Sequence, residues 1–293
     1  MSHPKILIGT LECGEAEFEL CRQRVAAQEG AVVEHLVFSN LPELEAHQRL
    51  FEVWNLRRQE FDLFVKVDAD TVLADEGALS RLWALFAADP DVTAVQAGLH
   101  DYFTDEMIAG LNCFSREVSF SRPTHQVYCD RMEEIGHRRV LKPDDTRALY
   151  PIAHHCLFPH PRQAFHYGYR RWLKGQTDVI AKTTDAFERL DLQDGSEDGA
   201  TGRDARQEGR GRFWALAGAC AAFWEPLEEA SYEAPAFSAL WHRVERDQAE
   251  GRLPAKIVLE QVRGILAGSL GVRARRFLYR TRRRLSPRPQ SPL

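Results

Sequence analysis

The chain has 293 residues, 44% hydrophobic and 28% charged, with a formal net charge of −5; this is the composition of a globular protein with room for a sizeable core. No apolar run reaches the roughly 20 residues that a membrane helix needs. The six Cys at 13, 21, 113, 129, 156 and 220 form no C-x-x-C pair, so they are expected to be small core residues in a reducing compartment.

The start, MSHPKILIG, runs into a short apolar strand without a basic segment and longer apolar stretch, so no signal peptide is expected. KILIGTL (Lys5–Leu11) predicts a buried first strand. EAEFELCRQRVAAQEG predicts a helix stopped by Gly30. AVVEHLVFSN predicts a second strand ending at Asn40, and LPELEAHQRLFEVWNLRRQE a helix with Leu44, Leu50, Phe51 and Trp54 on one face. FDLFVKVDAD predicts a third strand, EGALSRLWALFAADP a helix ending at Asp89-Pro90, and DVTAVQAGLHDYF a fourth strand. Alternating strands and helices predict an α/β layer fold with a mostly parallel sheet.

Past Tyr102 the pattern loosens. MIAGLNCFSREVSF fits a strand or a helix. CDRMEEIGHRRVL reads as a short helix, a turn at Gly136 and a strand. ALYPIAHHC reads as a strand, and PRQAFHYGYRRWLKG as a helix from Pro161 to Gly175. Residues 176–250 read as mostly helical, interrupted by a polar, Gly-rich stretch (Gln193–Gly211) expected to be a mobile loop. The expected plan is a domain over 1–175, a helical extension over 176–262 and a basic tail over 263–293 whose end, SPRPQSPL, reads as disordered.

The sharpest chemical signal is Asp68 and Asp70, one residue apart at the end of an apolar strand. In an α/β fold that strand end is where ligands bind. In locally extended backbone the two carboxylates point the same way. They could then share a hard divalent cation, Mg²⁺ or Mn²⁺, of the kind held by one or two carboxylates plus substrate phosphates. The plainer alternative is that Asp70 caps the following turn and Asp68 is a solvated loop acid.

Two families share the local string. VKVDADTV resembles the motif of haloacid-dehalogenase-like phosphatases, in which Asp68 would be a nucleophile. However, two strand–helix units precede it, VTAVQAG ends without Ser or Thr, and Lys142 lies only two residues before Asp144-Asp145. Over about residues 5–175 the chain resembles glycosyltransferases of the GT-A fold, close to the family 2 type. That resemblance implies a Rossmann-like sheet with helices around it, and Asp68 and Asp70 holding Mn²⁺ or Mg²⁺ on the diphosphate of a nucleotide-sugar donor. It also implies a nucleotide beside GTLE (Gly9, Thr10, Glu12) and beside Asn40, where members often carry an acid. A third reading keeps the fold without catalysis, as a binder of sugar nucleotides.

Four histidines (His154, His155, His160, His166) fall within AHHCLFPHPRQAFH. On a strand only one of His154 and His155 can face a given side. The resemblance implies a downstream His as third metal ligand, with His155 preferred. The family's catalytic base opens a helix after a mid-domain strand, and VYCDRMEEIG has that pattern, which selects Asp130 among the acids from Asp101 to Asp145. An Asp there is also an ordinary helix cap. Arg162, Arg170, Arg171 and Lys174 are expected to form a mostly solvated helix face with Phe165, Tyr169 and Trp172 turned inward.

Residues 263–288 carry nine Arg and no acid. Mixed with Leu, Ile, Val and Phe, they could form a basic amphipathic segment on an anionic membrane surface. The expected partners are therefore a nucleotide-diphosphate sugar, a glycan or lipid-linked acceptor and a membrane surface. No nucleic-acid-binding motif is present, and the expected location is cytoplasmic.

Overall fold

The structure is a computed structural model that describes residues 3–125, 128–129, 132–193 and 202–268. In chain order the elements are β1 (Lys5–Glu12), α1 (Phe18–Ala26), β2 (Val32–Ser39), α2 (Glu43–Arg57), β3 (Leu63–Lys66), β4 (Thr71–Leu73), α3 (Ala78–Ala88), β5 (Val92–Asp101) and β6 (Glu106–Ser115). They continue with β7 (Ser119–Phe120), β8 (Glu134–Ile135), β9 (Arg139–Leu141), β10 (Ala153–His155), α4 (Pro161–Leu173), α5 (Thr177–Gln193), α6 (Gly202–Trp224), α7 (Pro235–Ala249) and α8 (Ala255–Ala267).

The central sheet has the order β2-β1-β3-β6-β5-β10-β4, with β9 also on β5. Six of its strands run one way; β6 and β4 run against them. This is the expected class, a mostly parallel α/β sheet flanked by helices, consistent with a GT-A-like, Rossmann-type fold.

Strand alternation explains both layers. Ile6 and Ile8 of β1, with Leu63 and Val65 of β3, enter a core shared with α1 and α3. The intervening Leu7 and Phe64 enter a second core against α2, through Leu50, Phe51 and Trp54. Inner strands that are buried on both faces read as continuous apolar runs, which is why KILIG and LFVK were legible. Trp54 stacks on Phe64 at 5.2 Å and donates its indole N–H to the Val118 carbonyl at 2.9 Å, which ties α2 to the loop after β6.

A third core joins Phe103 and Cys156 to residues of α4, α5, α6, α7 and α8. Helices α4 and α6 touch backbone to backbone. A Cβ on Gly168 would lie 1.7 Å from the Ala215 carbonyl oxygen, and one on Gly218 would lie 2.0 Å from that of Phe165.

Several expectations need correction. MIAGLNCFSREVSF, open between strand and helix in the sequence, is strand: Met107–Ser115 lies in β6, paired on both sides, and Ser119–Phe120 is β7. Glu134–Ile135, expected in a short helix, is strand β8 against β7, with Gly136 turning at φ 98°. Helix α6 begins at Gly202, inside the expected loop; residues 194–201 lie outside those described. Arg, Ala, Gln and Glu between its glycines are good helix formers. Gly211 is there for closeness, since a Cβ would meet the Tyr102 hydroxyl at 2.7 Å. Polar composition concealed a glycine-mediated packing face. The arginine-rich stretch of the tail lies outside the described residues. Among the described residues no helix is long and apolar enough to cross a membrane.

Gly168→Ala should drive α4 and α6 apart and cost about 1–3 kcal/mol, the usual range for overpacking. Gly264→Ala on α8, where a Cβ meets nothing within 4 Å, should be neutral or stabilising by up to about 1 kcal/mol. Urea unfolding midpoints of both variants check the contrast.

Candidate active site

Strand β3 stops at Lys66, and the chain turns before β4: the Thr71 amide donates to the Asp68 carbonyl at 2.8 Å. The D-x-D pair therefore sits on a turn and not on extended backbone, and its two carboxylates part company. Asp68 is half-exposed and paired with the Lys66 ammonium. Asp70 turns toward β10.

Strand β10 lies between β5 and β4, with His155 opposite Asp101 on one side and Thr71 on the other. The next amide, Cys156 N–H, donates to the Asp70 carbonyl at 2.8 Å. Three donor atoms meet there. Asp70 Oδ2 is 3.5 Å from His155 Nε2 and 3.4 Å from Cys156 Sγ, and Sγ is 3.5 Å from Nε2.

Asp101 sets this geometry. It is fully buried, and its Oδ2 accepts the amide and hydroxyl of Thr104 at 2.9 and 2.7 Å. Burial would raise its carboxyl, but the bonds from His155 and Thr104 outweigh that and hold it below its ordinary range. An ionised carboxylate only accepts, so the 2.7 Å contact fixes Nδ1 of His155 as the donor. Nε2 is thereby aimed at Asp70. Burial would depress the imidazole, but Cys156, Asp70 and Asp101 around it raise it well above its usual value. Burial likewise opposes ionised Asp70, yet His155 holds its carboxyl down at about 2. Below the site, burial raises the carboxyl of Glu17, whose oxygens accept Gln163 Nε2 at 2.9 Å and Phe158 N–H at 2.8 Å.

Above the three atoms opens a cavity of about 570 Å³. Its lining mixes acids, among them Glu12, Glu15, Glu43, Asp68 and Asp70, with the cations Lys66, Arg170, Arg171 and Lys174. Arg170 corrects an expectation. It is buried and paired with Glu43 at the start of α2 through both terminal nitrogens, with Nη2 2.7 Å from Oε1. Arg171 and Lys174 also line the cavity, whereas Arg162 donates to the Tyr232 carbonyl and the Ser238 hydroxyl at 2.7 and 2.9 Å. Arg171 lies 4.6 Å over the Tyr167 ring, and Tyr167 in turn is 5.7 Å from His155.

Of the nucleotide-side expectations, Glu12 lines the cavity, its Oε1 accepting the Gly14 amide at 2.7 Å. Gly9 and Thr10 are not on its wall. Gly9 is a packing site where a Cβ would strike Leu50 at 2.2 Å, and Thr10 is buried with its hydroxyl 2.9 Å from His35 Nε2. Asn40 follows β2 at φ 54°, its amide on the Glu12 carbonyl at 2.8 Å, and is also absent from the cavity lining. Asp130 lies outside the described residues. His154 faces away from His155, packing 5.9 Å from His100. Sequence reasoning missed Cys156 as a site member and treated Asp101 only as a candidate base. The adjacency of Cys156 to a chosen His was the available signal.

Burial alone would raise the Glu43 carboxyl, but the Arg170 guanidinium lowers it instead. A depressed folded pKa means that Glu43 stabilises the fold above its unfolded value of about 4.3 and that this contribution is lost as pH falls through the folded value. Glu43→Gln should cost about 3 kcal/mol at pH 7, the low end for stranding a buried charge. It should also shrink the loss of stability on acidification below pH ~4, as read from chemical denaturation across pH.

No family model and no curated protein sequence matches this chain. Among solved structures it is similar to the mannosyltransferase PcManGT from Pyrobaculum calidifontis in complex with GDP-Man and Mn²⁺, at 15% identity over 87% of this chain and 85% of that one, with a TM-score of 0.35.

Proposed function

We propose that the protein is a metal-dependent glycosyltransferase of the GT-A class, which transfers a sugar from a nucleotide-diphosphate donor to a glycan or lipid-linked acceptor. The observation that carries this reading is the convergence of Asp70 and His155 on a cavity lined by both acids and cations. Such a site suits a ligand with both a positive and a negative pole, as a metal-bound diphosphate has.

The donor atoms fit a divalent ion. Asp70 offers a carboxylate oxygen and His155 an imidazole nitrogen, and Asp101 behind the imidazole is the outer partner that orients metal-binding histidines. A divalent cation there would neutralise charge developing on the leaving diphosphate; Mn²⁺ or Mg²⁺ is what the resemblance implies. Asp68, on the cavity wall, would contact the donor or the ion's water shell. Arg171 and Lys174 would hold the phosphates, and Glu12 and Asn40 would lie toward the nucleoside, with Gly9 and Thr10 behind them. Asp130 is the base proposed by resemblance. Among the described acids on the cavity wall, Glu15 has its carboxyl lifted by burial to about 7, the range in which a general base works.

In this reading residues 1–175 carry the donor site, residues 176–262 cover the acceptor side, and the basic tail touches an anionic membrane surface on the cytoplasmic side. Tyr232 and Glu233, from the segment before α7, line the same cavity.

A ligand that binds only the folded state raises the melting temperature, by about 2.7 kcal/mol of stability at a hundredfold excess over its Kd. Thermal melts with a panel of nucleoside diphosphates should show, with one of them, a rise that depends on an added divalent ion (Mn²⁺, Mg²⁺, Zn²⁺ and Co²⁺ tried in turn) and is lost in Asp70→Ala. No shift with any nucleotide would overturn the reading, and phosphate trapped covalently on Asp68 would replace it with the phosphatase.

A further inference from the structure

We propose that the metal ligands of this chain are Asp70, His155 and Cys156, a carboxylate–imidazole–thiolate face that selects a borderline-soft ion such as Zn²⁺ or Co²⁺ over Mg²⁺. The inference rests on the metal-dependent reading above for its biological meaning, but the ligand set stands on geometry of its own.

The three donor atoms form a nearly equilateral triangle with sides of 3.4, 3.5 and 3.5 Å. With zinc bonds of about 2.3 Å to sulfur and 2.0–2.1 Å to nitrogen and oxygen, a tetrahedral site puts its donors about 3.3–3.6 Å apart. An octahedral Mg²⁺ at 2.0–2.1 Å wants adjacent donors about 2.9 Å apart and takes oxygen. The triangle matches the first pattern in size and in chemistry, since thiolate and imidazole favour Zn²⁺ and its neighbours.

The frame is built to hold this shape. Cys156 has φ +55°, a backbone conformation that non-glycine residues adopt rarely. Its amide is locked on the Asp70 carbonyl, so two of the ligands are fixed across a single β-type contact. His155 is fixed from behind by Asp101, and Gln163 Nε2 approaches Cys156 Sγ at 3.8 Å. Asp70, His155 and Cys156 all line the cavity. Three protein ligands with a fourth position open to substrate is the plan of a catalytic zinc site, not a structural one. Asp68 is left out of the triad by its turn and by Lys66.

Glu43, His47 and Cys129 form a second group of similar donors. There the Arg170 guanidinium already occupies the Glu43 carboxylate, so a dication would have to displace a cation. This group serves as the internal control.

Co²⁺ titrated into the full-length protein provides the test. The expected result is one equivalent bound with intense four-coordinate visible bands and a sulfur-to-cobalt charge-transfer band in the near ultraviolet. That band should disappear in Cys156→Ser and persist in Cys129→Ser. Zn²⁺ should displace the cobalt, and Mg²⁺ in large excess should not. Zn²⁺ affinity should fall in Cys156→Ser by at least about 10- to 100-fold, the loss already produced by removing an outer-shell partner. A charge-transfer band that survives Cys156→Ser, or cobalt bound without any such band, overturns the proposal. If Cys156→Ser does not fold, cadmium NMR on the unsubstituted protein decides: a resonance in the sulfur-ligated range supports the triad, and one in the all-oxygen and nitrogen range overturns it. Nucleotide binding that depends on a metal without sulfur ligation would sink this inference and leave the glycosyltransferase reading intact. Sulfur ligation without nucleotide binding would do the reverse.

Discussion

The site depends on the register of one short strand. His155 is the last residue of a three-residue strand, held in place because β10 is gripped on both sides, by β5 in parallel and by β4 antiparallel. That register sets Asp101 directly beside His155 and brings the Asp70 carbonyl to the Cys156 amide. A slip of one residue would turn His155 to the opposite face of the sheet and put His154 in its place. The buried charge of Asp101 makes such a slip costly, because its carboxylate would lose the imidazole that justifies its burial. Sheet pairing and electrostatics therefore enforce the same geometry.

The helical half completes the cavity through a different constraint. Helix α4 starts just after β10, so its orientation determines where Arg170 and Arg171 point. The close approach of Gly168 to Ala215 and of Gly218 to Phe165 seats α4 directly on α6. The aromatic residues of α4 pack into that interface and the arginines are left toward the cavity. The Glu43–Arg170 pair then ties α4 to α2 across the sheet edge. The close packing of α4 on α6 thus fixes the position of Arg170 and Arg171.

Much of the first half was legible in the sequence because local and tertiary signals agree there. KILIG, LFVK and the Leu50–Phe51–Trp54 stripe are strand and helix patterns whose apolar faces meet in the cores they predict. Legibility failed where tertiary contacts override local composition. Strand β6 carries Gly110 and Asn112 but is stabilised by partners on both sides. The start of α6 looks like linker because its glycines serve close packing. At the site, Asp70 and His155 were readable as residue types at strand ends. The separation of Asp68 from Asp70 was not, since it arises from a turn and an ion pair with Lys66. Nor was the role of Cys156, which needs an unusual backbone angle to bring its sulfur to the carboxylate.

The charge layout of the cavity narrows what can occupy it. Charges around the cavity are already paired within the protein: Asp68 with Lys66, Asp70 with His155 and Glu43 with Arg170. A ligand of one sign has to break such a pair and strand its partner, which is costly for a buried charge. On the proposed reading, a diphosphate carrying a divalent ion would offer both signs at once, the metal beside Asp70 and the phosphate oxygens toward Arg171 and Lys174. Metal and nucleotide would then bind as a coupled pair.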